Sequence, residues 1–156
     1  MSQVTLEAVQ AKQTELAAMI QQLQKQVVST TLIEIEDCTI ELDPSERYAG
    51  AVLDDEGQHK HHLVMMAQRH TDKLNWQAAM DWATSIGGAL PTRQEQALLY
   101  ANCKPHLQPV WHWSCETHAD EASYAWSCYF GNGSQHGGHK SYEGSAVAVR
   151  LIHLTA

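Results

Sequence analysis

SIGGALPTRQEQALLYAN, residues 85–102, packs a helix end, an extended bridge and a helix start into one short stretch. Gly87 and Gly88 supply left-handed backbone that ends a helix. Leu90 precedes Pro91 and is pushed extended. Thr92 and Glu95 stand three apart, the spacing of a capping box, so a second helix is predicted to run to about Asn102. Upstream, Asn75 is placed to cap a helix from Trp76 to about Ser85. Trp76, Ala79, Met80, Ala83 and Ile86 share one face of it, the spacing of a helix laid on a sheet. Each residue of the joint has a structural task, and none needs a catalytic one.

Outward from the joint the period is two. LIEIE and CTIEL, between Leu32 and Leu42, alternate as strands with one wet face. Asp43-Pro44-Ser45 signals a turn. YAGAVLDDEGQHKHHLVMMA, from Tyr48, reads as a hairpin with an exposed polar tip DDEGQHK and a returning arm from His62 to Ala67. After the joint, alternation sets Trp111, Trp113 and Cys115 against His112, Ser114 and Glu116. It then sets Tyr124, Trp126, Cys128 and Phe130 against Ala125, Ser127 and Tyr129, and last Val147, Val149 and Leu151 against Ala146, Ala148 and Arg150. GNGSQHGGHKSYEGS, from Gly131, is too rich in Gly and Ser for a regular element and reads as a long loop, of a length often kept for function.

The N-terminal stretch differs. Leu6, Gln13, Ile20 and Val27 recur by sevens, as do Val9, Leu16 and Leu23. Taken as a and d positions they make about three heptads of a coiled-coil seam, with Gln13 able to fix register. A lone amphipathic helix packed on its own domain is the competing interpretation, but so narrow a stripe suits a seam better than a core face. Residues 1–29 are therefore expected to make a homo-oligomer, a trimer first and a dimer next, leaving residues 30–156 as the domain.

Composition narrows the function. The formal charge is −8, and half of the acidic residues fall between Glu34 and Glu56. That disfavours nucleic-acid binding, which needs basic stripes. No apolar run is long enough for a membrane span. The start lacks the zones of a signal peptide, so retention in a cytoplasm is expected. The four cysteines show no metal or dense disulfide pattern.

WQAAMDWATSIGGALPTRQEQALL, then WHWSCETH, YAWSCYFGNG and AVAVRLI, resembles the Lcl C-terminal-domain-like family, over roughly Tyr48 to Leu154. The resemblance implies an α+β, C-type-lectin-like fold, related to the formylglycine-generating-enzyme fold, with two helices packed on twisted antiparallel sheets. It implies phage or prophage origin and a binding surface rather than an enzyme, and places Trp76, Trp113 and Trp126 in structural positions. Trp111 and Trp82 are left open. Cys115 and Cys128 would share a face if their strands pair, which would permit a late disulfide in an oxidising medium.

The ten histidines all lie at or after His59. His59, His61 and His62 could ligate a transition metal, but an exposed hairpin tip is the simpler account, and no metal or cofactor is assigned. Calcium binding lacks the carboxylate–amide triplet of calcium-dependent lectins. A Cys115–His112 or Cys115–His118 nucleophile pair has no supporting signature, and buried thiols are expected. Arg93 opposes the helix dipole and is expected to pair with a carboxylate, with Arg150 similarly structural. The binding candidates are His112, Glu116, His118, Tyr124, Tyr129, His136, His139, Lys140 and Tyr142, since Tyr and His combine contact area with hydrogen bonding. The function expected is recognition of a protein or glycan by a displayed oligomer, on a virion or in the host cytoplasm. The alternative is an intracellular phage protein that sequesters a host factor, such as a defence component.

Overall fold

The structure, a computed structural model, describes residues 5–26, 31–35 and 38–153, without the side chains of 25–26 and 31–35. Three helices and eight strands occur among them in an α+β arrangement. Helix α1 is Leu6–Gln26, followed by β1 (Thr31–Ile35), β2 (Cys38–Leu42), β3 (Arg47–Leu53) and β4 (His59–Arg69). Helices α2 (Trp76–Ser85) and α3 (Arg93–Cys103) come next, then β5 (Trp111–Thr117), β6 (Tyr124–Tyr129), β7 (Ser134–His139) and β8 (Val147–Ile152). The strands form an antiparallel pair β1-β2 and two antiparallel sheets of three, ordered β3-β4-β8 and β5-β6-β7.

The joint follows its local signals. Asn75 Oδ1 accepts from the Ala78 N–H at 2.9 Å and opens α2. Gly87, at φ 80°, and Gly88 donate their N–H groups to Thr84 and Ala83 and close it. Only Gly87 takes the left-handed backbone expected of both. Gly88 is needed for space, because a Cβ there would press on Met66 Sδ and lie 3.0 Å from the Val149 carbonyl oxygen. Ala89 exchanges two hydrogen bonds with Val149, and the chain enters α3 through a complete capping box. The joint thus stitches both helices to β8.

The β3-β4-β8 sheet is covered on both faces. Leu63, Met65, Val147 and Val149 meet Leu99 and Cys103 of α3 together with Cys128 and Phe130. On the reverse, Val64 meets Ile40 and Leu42 of the β1-β2 pair, while Met66 and Ala148 meet Ala79 and Ala83 of α2. Burial from both sides explains the unbroken apolar run Leu63–Met66. It also corrects the hairpin tip: β4 begins at His59, and His61 and His62 are only 2 % exposed.

The Gly-rich segment is the other correction. Ser134–His139 is strand β7, paired with β6 along its whole length. Gly138, and Gly144 beyond the strand, each lie against the Trp113 indole, and a Cβ at either would meet it within about 3.3 Å. Glycine here admits a ring across the strand. Trp113 is core as expected, but Trp126 is only half-buried and lies outside the core clusters.

From Thr5 to Gln24 every residue is exposed, including Leu6, Val9, Leu16, Ile20 and Leu23 of the heptad rows. Residues 1–4 and Val27 of that seam, together with Leu154, lie outside the described residues. No described helix is long and apolar enough to cross a membrane.

Candidate functional site

Side chains on adjacent antiparallel strands share a face when they are directly opposed, so the register of β5-β6-β7 divides the candidates. Trp111 opposes Tyr129, Trp113 opposes Ser127, and Ser127 opposes His136. His112 opposes Cys128, which opposes Gln135; Trp126 opposes Gly137 and Tyr124 opposes His139 on that second face.

The first face carries a cleft of about 250 Å³, lined by Trp111, Trp113, His136 and Tyr142 together with Glu143, Gly138 and Gly144. Trp111 is 40 % and Tyr142 71 % exposed. Trp111 also packs against Tyr129 and, edge to face, against His136, with ring centres 5.4 and 5.6 Å away. Below them Trp113 is anchored by its indole N–H, which donates to the Leu74 carbonyl at 2.9 Å. The cleft thus combines a buried, hydrogen-bonded indole with two exposed aromatic side chains.

The second face is largely satisfied from within. The Arg93 guanidinium lies 3.7 Å over the Trp126 ring, which also stacks with His118 at 5.0 Å. Arg93 Nε donates to Gln135 Oε1 at 3.1 Å, and Gln135 returns a bond to the Arg93 carbonyl at 2.7 Å. Arg93 therefore has an aromatic and an amide partner where a carboxylate was expected. Glu116 instead accepts from the Arg93 backbone N–H, compensating the dipole of α3. Tyr124 and His118 border a polar recess of about 260 Å³ with Glu121 and Gly137, and His139 packs edge to face with Tyr124. Lys140 is occupied by the Trp76 ring and by Thr117 Oγ1 at 3.0 Å.

His112 is not a surface residue. It is 4 % exposed, packed edge to face on Phe130, with Nδ1 donating to the Val110 carbonyl at 3.0 Å. Burial pushes its pKa down to about 4, against the Val110 bond that favours the protonated ring and with a further push from Arg69. From His112 to Ser114 both faces of β5 are covered, so alternation there no longer separates wet from dry.

The cysteines are all free. Cys128 opposes His112, whereas Cys115 sits in the irregularity of β5 after Trp113, and the two belong to different core clusters. Burial pushes both thiols up to about 11, with Glu95 and Glu116 adding to the rise at Cys115. A thiolate is thus disfavoured at each. Among the described residues no three His, Cys, Asp or Glu side chains converge as a metal site.

No family model matches the chain, and no curated protein does. The site must therefore be read from its own geometry. Of the candidates, His136 and Tyr142 line the aromatic cleft and Tyr129 backs it. His118, Tyr124 and His139 gather on the opposite face, with Glu116 and Lys140 held by neighbouring backbone and rings. Trp111, left open by the sequence, lines the cleft with Tyr142, and both are exposed. Glu143 was missed, and a lone carboxylate after a tyrosine carries no local signal that would have found it.

Proposed function

We propose that the chain is a non-enzymatic, phage- or prophage-derived binding protein of the Lcl C-terminal-domain-like kind. Residues 30–156 form its C-type-lectin-like domain, which recognises a protein or glycan at the Trp111–Tyr142 cleft. Residues 1–29 form the oligomerising coiled coil, a trimer first and a dimer next. The observation that carries this reading is the cleft itself, where two large aromatic side chains stand open to solvent above a buried indole.

Two features support it. The apolar row of α1 is exposed along its described length, and pairing with a second copy is what would bury it. Copies held together convert weak contacts into avidity. The groups with catalytic potential, meanwhile, are tied into structure: His112 to Val110, Glu95 to His61 and the α3 cap, the Cys128 thiol into the core and the half-buried Cys115 thiol against it.

The test combines the mass in solution, by light scattering, with host-cell binding by the full chain and by Trp111→Ala. Multimers that bind, with binding lost in the variant, are the expected result. Monomers, or undiminished binding by Trp111→Ala, would overturn it. Absence of the protein from purified particles, with a host protein captured during infection, would move the site of action to the host cytoplasm and favour sequestration of a defence component.

A further inference from the structure

We infer that the cleft selects a ligand group bearing an alkylammonium cation, such as a choline or methylated-amine head. The inference rests on the cleft being the binding site. Its lining includes the aromatic residues Trp111, Trp113 and Tyr142, of which Trp111 and Tyr142 are open to solvent, and the carboxylate on it is Glu143. An aromatic face attracts a cation through its quadrupole, most strongly where the charge is spread over methyl groups and weakly hydrated. Among the described residues no Lys or Arg lines the cleft. Two basic side chains of this part of the fold are committed elsewhere, Lys140 to Trp76 and Thr117, and Arg93 to Trp126 on the opposite face. The net charge of −8 draws cations toward the surface in the same sense.

Charge, more than the polar inventory, separates this group from a polyhydroxylated ring, because Glu143 is the acidic side chain on the lining. The Trp113 indole N–H is spent on Leu74, and the Ser127 hydroxyl donates to the His136 carbonyl. The Trp111 indole N–H, the His136 ring, the Tyr142 hydroxyl and the Glu143 carboxylate make no hydrogen bond among the described residues and could serve a sugar. The attraction of Glu143 for a full charge, however, is one that only a cation gains. The cleft, about 250 Å³, suits one headgroup-sized moiety, since drug-sized ligands occupy roughly 300–1,000 Å³.

The experiment is NMR titration of the indole N–H signals of the full chain, with choline as the first probe. Its uncharged isostere 3,3-dimethyl-1-butanol and methyl N-acetylglucosaminide are the controls. Choline should perturb the Trp111 signal and bind roughly tenfold tighter than the isostere. Glu143→Gln, an exposed change, should weaken choline several-fold and leave the isostere unaltered, and added salt should mimic that loss. Phosphocholine and Nε-trimethyllysine then separate a choline-bearing surface from a methylated protein as the source. Equal binding of choline and its isostere, or indifference to Glu143→Gln, overturns the charge selection while leaving the cleft as a site. Stronger perturbation by the glycoside hands the cleft to neutral sugar. Silence of the Trp111 signal toward every probe overturns both the selection and the site.

Discussion

His112 shows how far burial alone can alter a side chain's chemistry. The unfolded chain takes up a proton at this ring near the ordinary value of 6.5, and the folded chain refuses it until about 4. The folded state therefore binds fewer protons in that window, and stability falls as pH drops below about 6.5. The loss should reach about 3 kcal/mol by pH 4. Urea midpoints at pH 7.5, 5.5 and 4.5 read it, and His112→Asn, which keeps an N–H for Val110, should flatten the profile; an unchanged slope would refute the assignment. Glu46 titrates in the same direction. Burial by itself would raise its pKa, but the Arg150 hydrogen bonds, the Asp43 N–H and the Arg150 charge outweigh it and the pKa is lowered. Arg150 thereby ties β8 to the β2–β3 turn, the structural part expected of it. The pair can be inferred from sequence only as a wish for a partner, because its members are far apart in the chain.

Among elements, the helices were legible because their punctuation is local. Asn75, Gly87, Thr92 and Glu95 each act on neighbours within a few residues, and all four keep their expected tasks. The strands were legible as strands but not as faces. Val147–Val149 and Trp113–Ser114 are buried on consecutive positions, which erases the alternation that would have told inside from outside. Strand β7 was hidden for a different reason: its glycines answer to rings packed across it, and composition shows the gap without the ring. The two glycines of the joint separate these causes experimentally. Gly87→Ala meets open space and pays only left-handed strain, about 1 kcal/mol. Gly88→Ala must displace Met66 or the β8 backbone, and overpacking of that kind costs about 1–3 kcal/mol. Thermal unfolding of both variants should rank Gly88→Ala as the more harmful, and the reverse order would contradict the close approach of the joint to β8.

For the molecule as a whole, the two three-stranded sheets are joined by few covalent or strand-pairing links, the segment around Ser145 bonding β5 and the Ala89–Val149 pair bonding the joint to β8. The cleft was half-legible for the same reason. His136, Tyr142 and Tyr129 stood out by residue type, whereas their convergence with Trp111 and Glu143 depends on the pairing of β5 with β6 and β7. The most economical connection between layers is Glu95, 2 % exposed. One oxygen accepts the Thr92 N–H at 2.8 Å to complete the α3 cap, and the other meets His61 Nε2 of β4 at 2.7 Å. Glu95→Ala should cost about 3 kcal/mol, a cap together with an orphaned buried imidazole. Amide exchange should then quicken in α3 and β4 alike, whereas quickening confined to α3 would show the two to open separately. A single acidic side chain would thus serve as a latch, so that the start of one helix cannot fray without loosening the strand behind it, and the two behave as one cooperative foldon.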